Sequence, residues 1–354
     1  MVDEPRQQKK TRHPGERRGP VTPALDSGLR RNDEKRPPIA LTVLGGFLGA
    51  GKTTLLNHLL RAPQGERVLV MVNDFGAINI DAELIAQGAP DLPEGIINLA
   101  NGCACCAIGG DLMQAFLKVL SLSEPPDRVV VEASGVADPA RIAAMGRSGG
   151  HFRCDGVITV VDAQQVQALA RDRYVGDTVQ AQLRAADLLL LNKTDLVTPQ
   201  ELADLRRWLG AQASGVPVLE SRQAEVDPRL ILGPLLADPA DAAPPSAEPD
   251  IDHAARFVSH RFTTAHPLRR TALEAALASL PPQVLRAKGF VFLQGEDGPR
   301  VLQLCGRRWS LGNPGPAQNR RHTRIVLIAA RQDDAPAFNA WSHFEACVAA
   351  DGSI

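Results

Sequence analysis

Short apolar runs alternate with amphipathic stretches between Ile39 and residue 237. The amphipathic stretches have helical spacing, as at 107–120 and 199–209. This alternation predicts an α/β domain over 39–237, in which a parallel sheet is covered by helices on both faces. Ligands of such domains bind at the carboxyl ends of the strands. The predicted strands cover residues 39–45, 67–73, 128–132, 156–161, 187–191 and 216–219.

The pattern changes after a linker at 238–252 that is rich in proline, alanine and aspartate. Beyond it, helices are predicted at 267–280 and 336–349, and we expect a small α+β domain over 253–350. The last helix is predicted to turn one face toward the core, formed by Phe338, Trp341, Phe344 and Val348. The strand-like runs of this domain lie at 256–263, 284–294, 300–305 and 324–329.

Residues 1–38 contain ten Lys/Arg, six Asp/Glu, several prolines and few large apolar side chains, and they are predicted to form a disordered leader. Their small basic excess does not indicate nucleic-acid binding, and their recurring acidic residues do not fit a transit peptide. The whole chain has a formal net charge of -1 and no apolar run long enough for a bilayer. With six cysteines in 354 residues and no signal-peptide pattern, we expect a cytoplasmic protein without disulfides, nucleic-acid partners or membrane contacts.

A glycine-rich segment follows the first apolar run and precedes a predicted helix. It reads Gly-Gly-Phe-Leu-Gly-Ala-Gly-Lys-Thr-Thr over 45–54, which is the P-loop pattern in its usual place between a strand and a helix. Backbone N–H groups of such a loop converge on phosphate, the lysine reaches the terminal phosphates, and the next hydroxyl binds Mg²⁺. A plain glycine-rich turn and a dinucleotide-binding loop fit this context less well. We therefore predict a nucleoside triphosphate site formed by Gly46, Gly49, Ala50, Gly51, Lys52, Thr53 and Thr54.

A second motif, Asn192-Lys193-Thr194-Asp195, closes the strand predicted at 187–191. In P-loop proteins the N-K-x-D form reads guanine, because a carboxylate such as Asp195 accepts the N1–H and exocyclic amino hydrogens that adenine cannot offer together. On its own, the same tetrapeptide is typical of a helix-capping turn. Behind a P-loop and at a strand end, it predicts binding of GTP in preference to ATP.

A third motif begins where the strand at 128–132 ends. Glu132 is followed three positions later by Gly135, as in the D-x-x-G segment of many GTPases. By this analogy, Glu132 is predicted to hold the Mg²⁺ shell and the N–H of Gly135 to meet the γ-phosphate. The same turn also fits an N-cap for a helix from Asp138, which is compatible with this role.

Three cysteines, Cys103, Cys105 and Cys106, lie within four residues. Thiolates this dense favour Zn²⁺ first, with Cu(I), Co²⁺ or Ni²⁺ as alternatives. They leave one position of a tetrahedral zinc site for a carboxylate, a histidine, water or a ligand from a partner. A redox thiol and simple packing are the competing interpretations. The remaining, isolated cysteines are expected to be small buried apolar residues: Cys154, Cys305 and Cys347.

With these motifs, the sequence resembles the CobW-type metallochaperone GTPases, relatives of the nickel-inserting accessory GTPases of urease and hydrogenase. The resemblance covers nearly all of residues 39–330, and the stretch V-L-R-A-K-G-F-V-F at 284–292 is similar to the family's C-terminal domain. It implies a zinc chaperone that hydrolyses GTP and passes metal from the C-x-C-C segment to a client metalloprotein. Neither the client nor an oligomeric state is indicated.

The chain departs from the family pattern at two places that concern the metal. Where the family has N-E-F-G, this chain has N-D-F-G, so the carboxylate of Asp74, a candidate zinc ligand, is one methylene shorter. Many relatives carry a histidine-rich loop between the domains, whereas the linker at 238–252 contains no histidine. A metal-buffering loop is therefore not expected, which argues against a storage role.

The segment 74–106 occupies the usual position of the first switch of GTPases. We expect γ-phosphate and Mg²⁺ to order it and gather the three thiolates, and hydrolysis to release it and loosen the metal. Catalysis is expected from Lys52, from Mg²⁺ on Thr53, and from a water near Glu132. No arginine finger is recognisable, so slow intrinsic hydrolysis is predicted.

Two alternatives to zinc delivery stay open at this stage. One is cobalt or nickel insertion into a cobalamin-pathway or hydratase-type client. The other is a regulatory GTP-binding module whose C-x-C-C motif senses metal or redox state without transferring anything.

Overall fold

The computed structural model describes residues 37–61, 66–72, 96–98, 108–234, 257–313, 322–331 and 338–349. Within these ranges the chain forms a seven-stranded and a five-stranded β-sheet. The predicted leader and linker lie outside the described residues, apart from positions 37 and 38, so the domain boundaries stay predictions. None of the helices in these ranges is both long and apolar enough to cross a membrane.

The larger sheet consists of β1 (Ile39–Gly45), β2 (Val68–Val72), β3 (Ile96–Asn98), β4 (Arg128–Glu132), β5 (Phe152–Asp162), β6 (Leu188–Asn192) and β7 (Val218–Glu220). Its strand order is β3-β2-β4-β1-β5-β6-β7, and every neighbouring pair is parallel. Strands β1, β4 and β6 are buried along their whole length. Continuous apolar runs are expected for parallel strands that are covered on both faces.

Helices cover this sheet, and alternate residues of its strands enter different cores. In β4, Val129 and Val131 belong to one apolar cluster and Val130 to another, as the alternation of side chains along a strand requires. The predicted α/β architecture is therefore confirmed. The covering helices are α1 (Lys52–Arg61), α2 (Ile108–Leu120), α3 (Pro139–Arg147), α4 (Val166–Arg171), α5 (Gly176–Ala185), α6 (Pro199–Gln212) and α7 (Pro228–Leu232).

Local sequence explains where several of these helices begin. Asp138 and Asp227 each cap a helix that starts with proline, and each carboxylate accepts a backbone N–H of the first turn. At α6 the Thr198 hydroxyl accepts the N–H of Glu201, while the Glu201 carboxylate accepts the N–H of Thr198. These caps satisfy N–H groups that have no partner inside the helix.

The smaller sheet is antiparallel, as expected for an α+β domain. Its strands are β8 (Phe257–Thr264), β9 (Val284–Val291), β10 (Arg300–Cys305), β11 (Arg308–Gly312) and β12 (Thr323–Ala330), in the order β11-β10-β9-β12-β8. The domain also contains helices α8 (Arg270–Ala278) and α9 (Ala340–Phe344). The rings of Phe262 and Phe344 lie 5.4 Å apart in its core.

The structure differs from the sequence-based expectation at short elements. Strands β3 and β11 were not predicted, and the helix expected over 336–349 is only α9 followed by a 3₁₀ turn at Glu345–Cys347. Cys347 ends this helical path because its carbonyl accepts the N–H of Arg269, next to a bridge between Leu268 and Val348. Trp341, predicted to face the core, is 50% exposed, although its ring packs 5.2 Å from that of Phe262.

A buried charge cluster joins the amino-terminal ends of β4 and β5 to the smaller sheet. The Arg128 guanidinium, only 1% exposed, donates to Asp155 at 2.6 Å and to Glu66 at 3.2 Å. Glu66 also accepts from Lys288 of β9 at 3.1 Å. Because each buried charge has a partner of opposite sign, the desolvation cost of the cluster is offset.

Arg286 of β9 makes a further set of polar contacts from the smaller sheet. Its guanidinium donates to the backbone carbonyls of Leu230 at 2.6 Å, Asp155 at 3.1 Å, and Ile231. These carbonyls lie in α7 and in β5, so a single side chain satisfies one strand of the larger sheet and one of its covering helices.

We predict that Asp155→Asn lowers the free energy of unfolding by about 3–5 kcal/mol, since it leaves Arg128 buried beside a neutral group. Burial alone would raise the pKa of Asp155, but attraction from Arg128, Arg153 and Lys288 together holds that pKa below its usual range. The stabilisation is therefore complete above the unfolded pKa of aspartate, near pH 4, and is lost as pH falls through the lower folded value.

Urea unfolding at pH 7 and at acidic pH measures both effects. Glu124→Gln is the matched control, because it breaks the exposed pair between Arg67 and Glu124 and is expected to cost at most about 1 kcal/mol. Equal losses in the two variants at pH 7 would contradict a stabilising role for the buried cluster.

Candidate functional site

The carboxyl ends of β1, β4, β5 and β6 meet at one edge of the larger sheet, because these strands are parallel and adjacent. The P-loop, Glu132, Asp162 and Asn192 therefore lie together, although almost 150 positions separate the first from the last. This edge contains the predicted nucleotide residues that the structure describes.

The P-loop passes between β1 and α1, and its glycines are required by the backbone. Gly51 has a φ of 109°, and a side-chain carbon there would lie 2.5 Å from Nδ2 of Asn192. Gly46 has a φ of 132°, and its missing side chain would overlap the carbonyl of Val160. Larger residues would be strained and would push the loop away from its neighbours.

Lys52 begins α1 and is only 8% exposed despite its charge. Its ammonium donates to the carbonyl of Phe47 at 3.2 Å, which turns the side chain back over the loop. Ala50 is buried, while Gly49 and Thr54 are exposed at the loop and in the first turn of the helix. The ammonium and the helix N-terminus together supply positive potential beside the loop.

Thr53 and Glu132 meet across the sheet edge. The Thr53 hydroxyl donates to Oε1 of Glu132 at 3.2 Å, and Glu132 is only 3% exposed. A hydroxyl and a buried carboxylate are hard oxygen donors, the type that Mg²⁺ prefers, so the residues present fit this cation. Gly135 lies against Leu48 of the P-loop, since a side-chain carbon at position 135 would lie 2.8 Å from the Leu48 nitrogen.

Asn192 joins the P-loop to the loop after β7. Its Nδ2 donates to the carbonyl of Ala50 at 3.0 Å. Its Oδ1 accepts from the backbone N–H of Ala224 at 2.7 Å and from the hydroxyl of Ser221 at 3.2 Å. The side chain is 2% exposed, so these bonds are shielded from water.

Left-handed backbone conformations cluster beside Asn192. Among the described non-glycine residues, positive φ angles occur at Lys193, Gln223 and Ala224. Such conformations are costly for these residue types and are often found at functional sites. The Lys193 ammonium donates a hydrogen bond to the carboxylate of Asp162 at 2.6 Å, which holds the lysine side chain in place. Asp195 lies exposed in the 3₁₀ turn Thr194–Leu196, where a ligand from solvent can reach it.

Several residues of this edge were not identified from the sequence. Asp162 ends β5 without a recognisable motif around it, and Ser221 and Ala224 follow a strand of only three residues. Gln182 is 2% exposed within α5, and its side-chain amide donates to the carbonyls of Gly135 and Ala137, each at 3.0 Å. The sequence around a glutamine in an amphipathic helix does not show that its side chain is buried and bonded, because its partners come from a distant segment.

The predicted zinc ligands Asp74, Cys103, Cys105 and Cys106 lie outside the described residues, as does most of the segment 74–106. In the part of the chain that the structure describes, no group of three or more His, Cys, Asp or Glu side chains is arranged to hold a metal.

The three isolated cysteines, Cys154, Cys305 and Cys347, are buried and unpaired by disulfides, as predicted. Burial raises the pKa of all three thiols, that of Cys305 to about 12. They are therefore protonated at neutral pH and are poor metal ligands.

Comparison with known proteins identifies the family. Residues 40–220 match the CobW/HypB/UreG nucleotide-binding domain, and residues 257–348 match the cobalamin synthesis protein cobW C-terminal domain. The chain belongs to this family. The resemblance read from the motifs is thus confirmed.

Two relatives that align over nearly their full length agree with the family assignment. The protein called zinc chaperone CobW of Sinorhizobium sp is 30% identical over 88% of this chain and 97% of its own length. Zinc chaperone YjiA of Escherichia coli K12 is 30% identical over 82% of this chain and 94% of its own length. The crystal structure of Zn(II)-bound YjiA GTPase aligns with 84% of this chain and 96% of its own, at 24% identity and a TM-score of 0.41.

Proposed function

We propose that this protein is a GTP-hydrolysing metallochaperone that binds zinc at Cys103, Cys105 and Cys106 and transfers it to a client protein. The observation that carries the proposal is the match, over nearly the full length, to relatives called zinc chaperones. The three clustered thiols of this chain are the matching chemistry for such a cargo.

The nucleotide would occupy the sheet edge described above. Backbone N–H groups from Gly46 to Thr54 would surround the phosphates, and Lys52 would contact the terminal ones. Asn192 holds the P-loop against the loop that contains Ala224, and Asp162 orients Lys193; both contacts support a base pocket that is organised before the ligand binds. Asp195, exposed beside them, would accept the two guanine hydrogens that distinguish this base from adenine.

Hydrolysis of the γ-phosphate requires little covalent chemistry from the protein, because positioning and charge stabilisation dominate phosphoryl transfer. Mg²⁺ held by Thr53 and Glu132 would supply positive charge that neutralises the phosphate oxygens. Glu132 lies at the end of a fully buried strand, so its carboxylate is held in one place beside Thr53. Gly135 would bring its N–H to the γ-phosphate, and a slow intrinsic rate is expected.

Zinc is the cargo in this proposal, and its release is linked to the nucleotide. The segment 74–106 connects the end of β2 to α2 and contains both Asp74 and the three clustered thiols. A γ-phosphate would order this segment and gather the ligands, whereas its loss would separate them. The carboxylate of Asp74 would complete the site with a short, hard ligand that a client can displace.

Guanine selection provides the first test. We predict that Asp195→Asn weakens binding of a non-hydrolysable GTP analogue by roughly 5- to 150-fold, the effect of losing a paired polar contact of about 1–3 kcal/mol. Wild-type protein should bind the ATP analogue far more weakly than the GTP analogue. Isothermal calorimetry measures both, and Asp177→Asn, an exposed aspartate in α5, is the control. Similar affinities of the wild-type protein for the two analogues would contradict the proposal.

Zinc binding provides the second test. The double variant Cys105→Ser/Cys106→Ser is expected to lose tight stoichiometric zinc, because a hydroxyl is a poor substitute for a thiolate ligand. Cys347→Ser serves as the control, since this thiol is buried in the C-terminal core. Zinc content after dialysis and competition with a chromogenic chelator measure the difference. Retention of tight zinc by the double variant would rule out the C-x-C-C site.

A further inference from the structure

Gln182 is an enclosed amide side chain near the candidate site. It lies in α5, the helix that leads into β6, and only 2% of it is exposed. Burying an amide without hydrogen-bond partners is costly, so a glutamine in this place requires specific acceptors.

Both acceptors belong to the segment that follows Glu132. Nε2 of Gln182 donates to the carbonyl of Gly135 and to the carbonyl of Ala137, each at 3.0 Å, so both amide hydrogens are used. The backbone carbonyl of Gln182 in turn accepts the hydroxyl of Thr159 at 3.1 Å. The backbone at Gln182 is therefore held from the β5 side, and the side-chain amide presents its two donors to the carbonyls of residues 135 and 137.

The geometry points to Gln182 as a positioning residue for nucleotide hydrolysis, and this inference rests on the proposed function. Because a peptide unit is planar, holding the carbonyls of Gly135 and Ala137 also orients the N–H groups of the residues that follow them. Gly135 packs directly on Leu48 of the P-loop, so a small displacement of this segment changes its distance to the phosphates. Gln182 would thus fix the position of residues 132–138 relative to the γ-phosphate.

Gln182 lies beside the P-loop as well as beside residues 135 and 137. A small cavity separates the P-loop from α4 and α5, and Gln182 lies in its wall together with Phe47, Leu48, Val166 and Val179. The far end of the segment is held independently, because Asp138 caps α3 through the N–H of Ala140 at 2.9 Å. Loss of the Gln182 bonds would therefore remove one anchor of residues 135 and 137, while the cap of α3 and the bond from the N–H of Ala137 to the carbonyl of Ser134 remain.

The test compares Gln182→Met with Gln180→Met. The two residues lie in the same helix, but the Gln180 amide donates to the carbonyl of Ala170 at 2.9 Å, away from residues 132–138. For Gln182→Met we expect the Kd of a non-hydrolysable GTP analogue to rise roughly tenfold or more, with kcat for GTP falling by a similar factor. The Kd of GDP should change by less than about twofold, because the lost bonds act on the γ-phosphate side. Gln180→Met should leave all three values unchanged.

A milder variant, Gln182→Asn, covers the case in which methionine prevents folding. Asparagine keeps the amide but is one methylene shorter, so its donors lie farther from the two carbonyls. We therefore expect a smaller rise in the Kd of the GTP analogue and a smaller fall in kcat, again with little change in the Kd of GDP. Parallel losses of GDP and analogue affinity, or a fall in activity that follows the loss of thermal midpoint, would show a merely structural role and overturn the inference. Unchanged binding and kcat would overturn it as well.

The binding ratio also separates this inference from the proposed function. If wild-type protein binds GTP but does not hydrolyse it, the proposed hydrolysis is wrong, while the ratio of analogue to GDP affinity still tests Gln182 directly. If the ratio is the same in wild type and Gln182→Met but wild-type protein hydrolyses GTP, only the role of Gln182 is wrong.

Discussion

The side chain of Asn192 holds together the loops on which the candidate site depends. One amide group binds the carbonyl of Ala50 in the P-loop, and its oxygen accepts from Ser221 and Ala224 after β7. The contact is so close that only a glycine fits at position 51. The asparagine of the N-K-x-D motif therefore packs against the last glycine of the P-loop, and each residue type depends on the other, although 141 positions separate them.

The same strands that end at the candidate site begin at the contact with the smaller sheet. Arg128 opens β4, which ends at Glu132, and Asp155 lies in the first half of β5, which ends at Asp162. The buried cluster around Arg128 and the bonds from Arg286 thus connect the C-terminal sheet to the strands that end at Glu132 and Asp162. These contacts therefore join the C-terminal domain to the nucleotide-binding domain near the amino-terminal ends of two buried strands.

Features that depend on local sequence were predicted well. The bounds of β1, β4 and β10 agree with the apolar runs, because a buried strand between polar turns needs no distant information. The P-loop was predicted because its glycines, lysine and flanking elements lie within one short stretch. The family resemblance rested on such stretches too, and it is confirmed over most of the chain.

Features that depend on distant partners were missed. The residues next to Gln182 in the sequence do not indicate that its amide binds the carbonyls of Gly135 and Ala137. Strand β11 is a short edge strand, and it is stabilised by its hairpin pairing with β10. The helix predicted over 336–349 was too long because helical spacing continues past the point where Cys347 binds Arg269. In each case a tertiary contact, rather than the local pattern, decides the structure.

Zinc delivery as proposed requires that zinc binding and nucleotide state are coupled. By linkage, a coupling of about 1–3 kcal/mol requires zinc affinity to differ by roughly 5- to 150-fold between the two nucleotide states, and zinc must shift the relative nucleotide affinities by the same factor. Competition with a chromogenic chelator, on protein saturated with a GTP analogue or with GDP, measures this difference. We expect tighter zinc binding with the GTP analogue. Equal zinc affinity in the two states would contradict it.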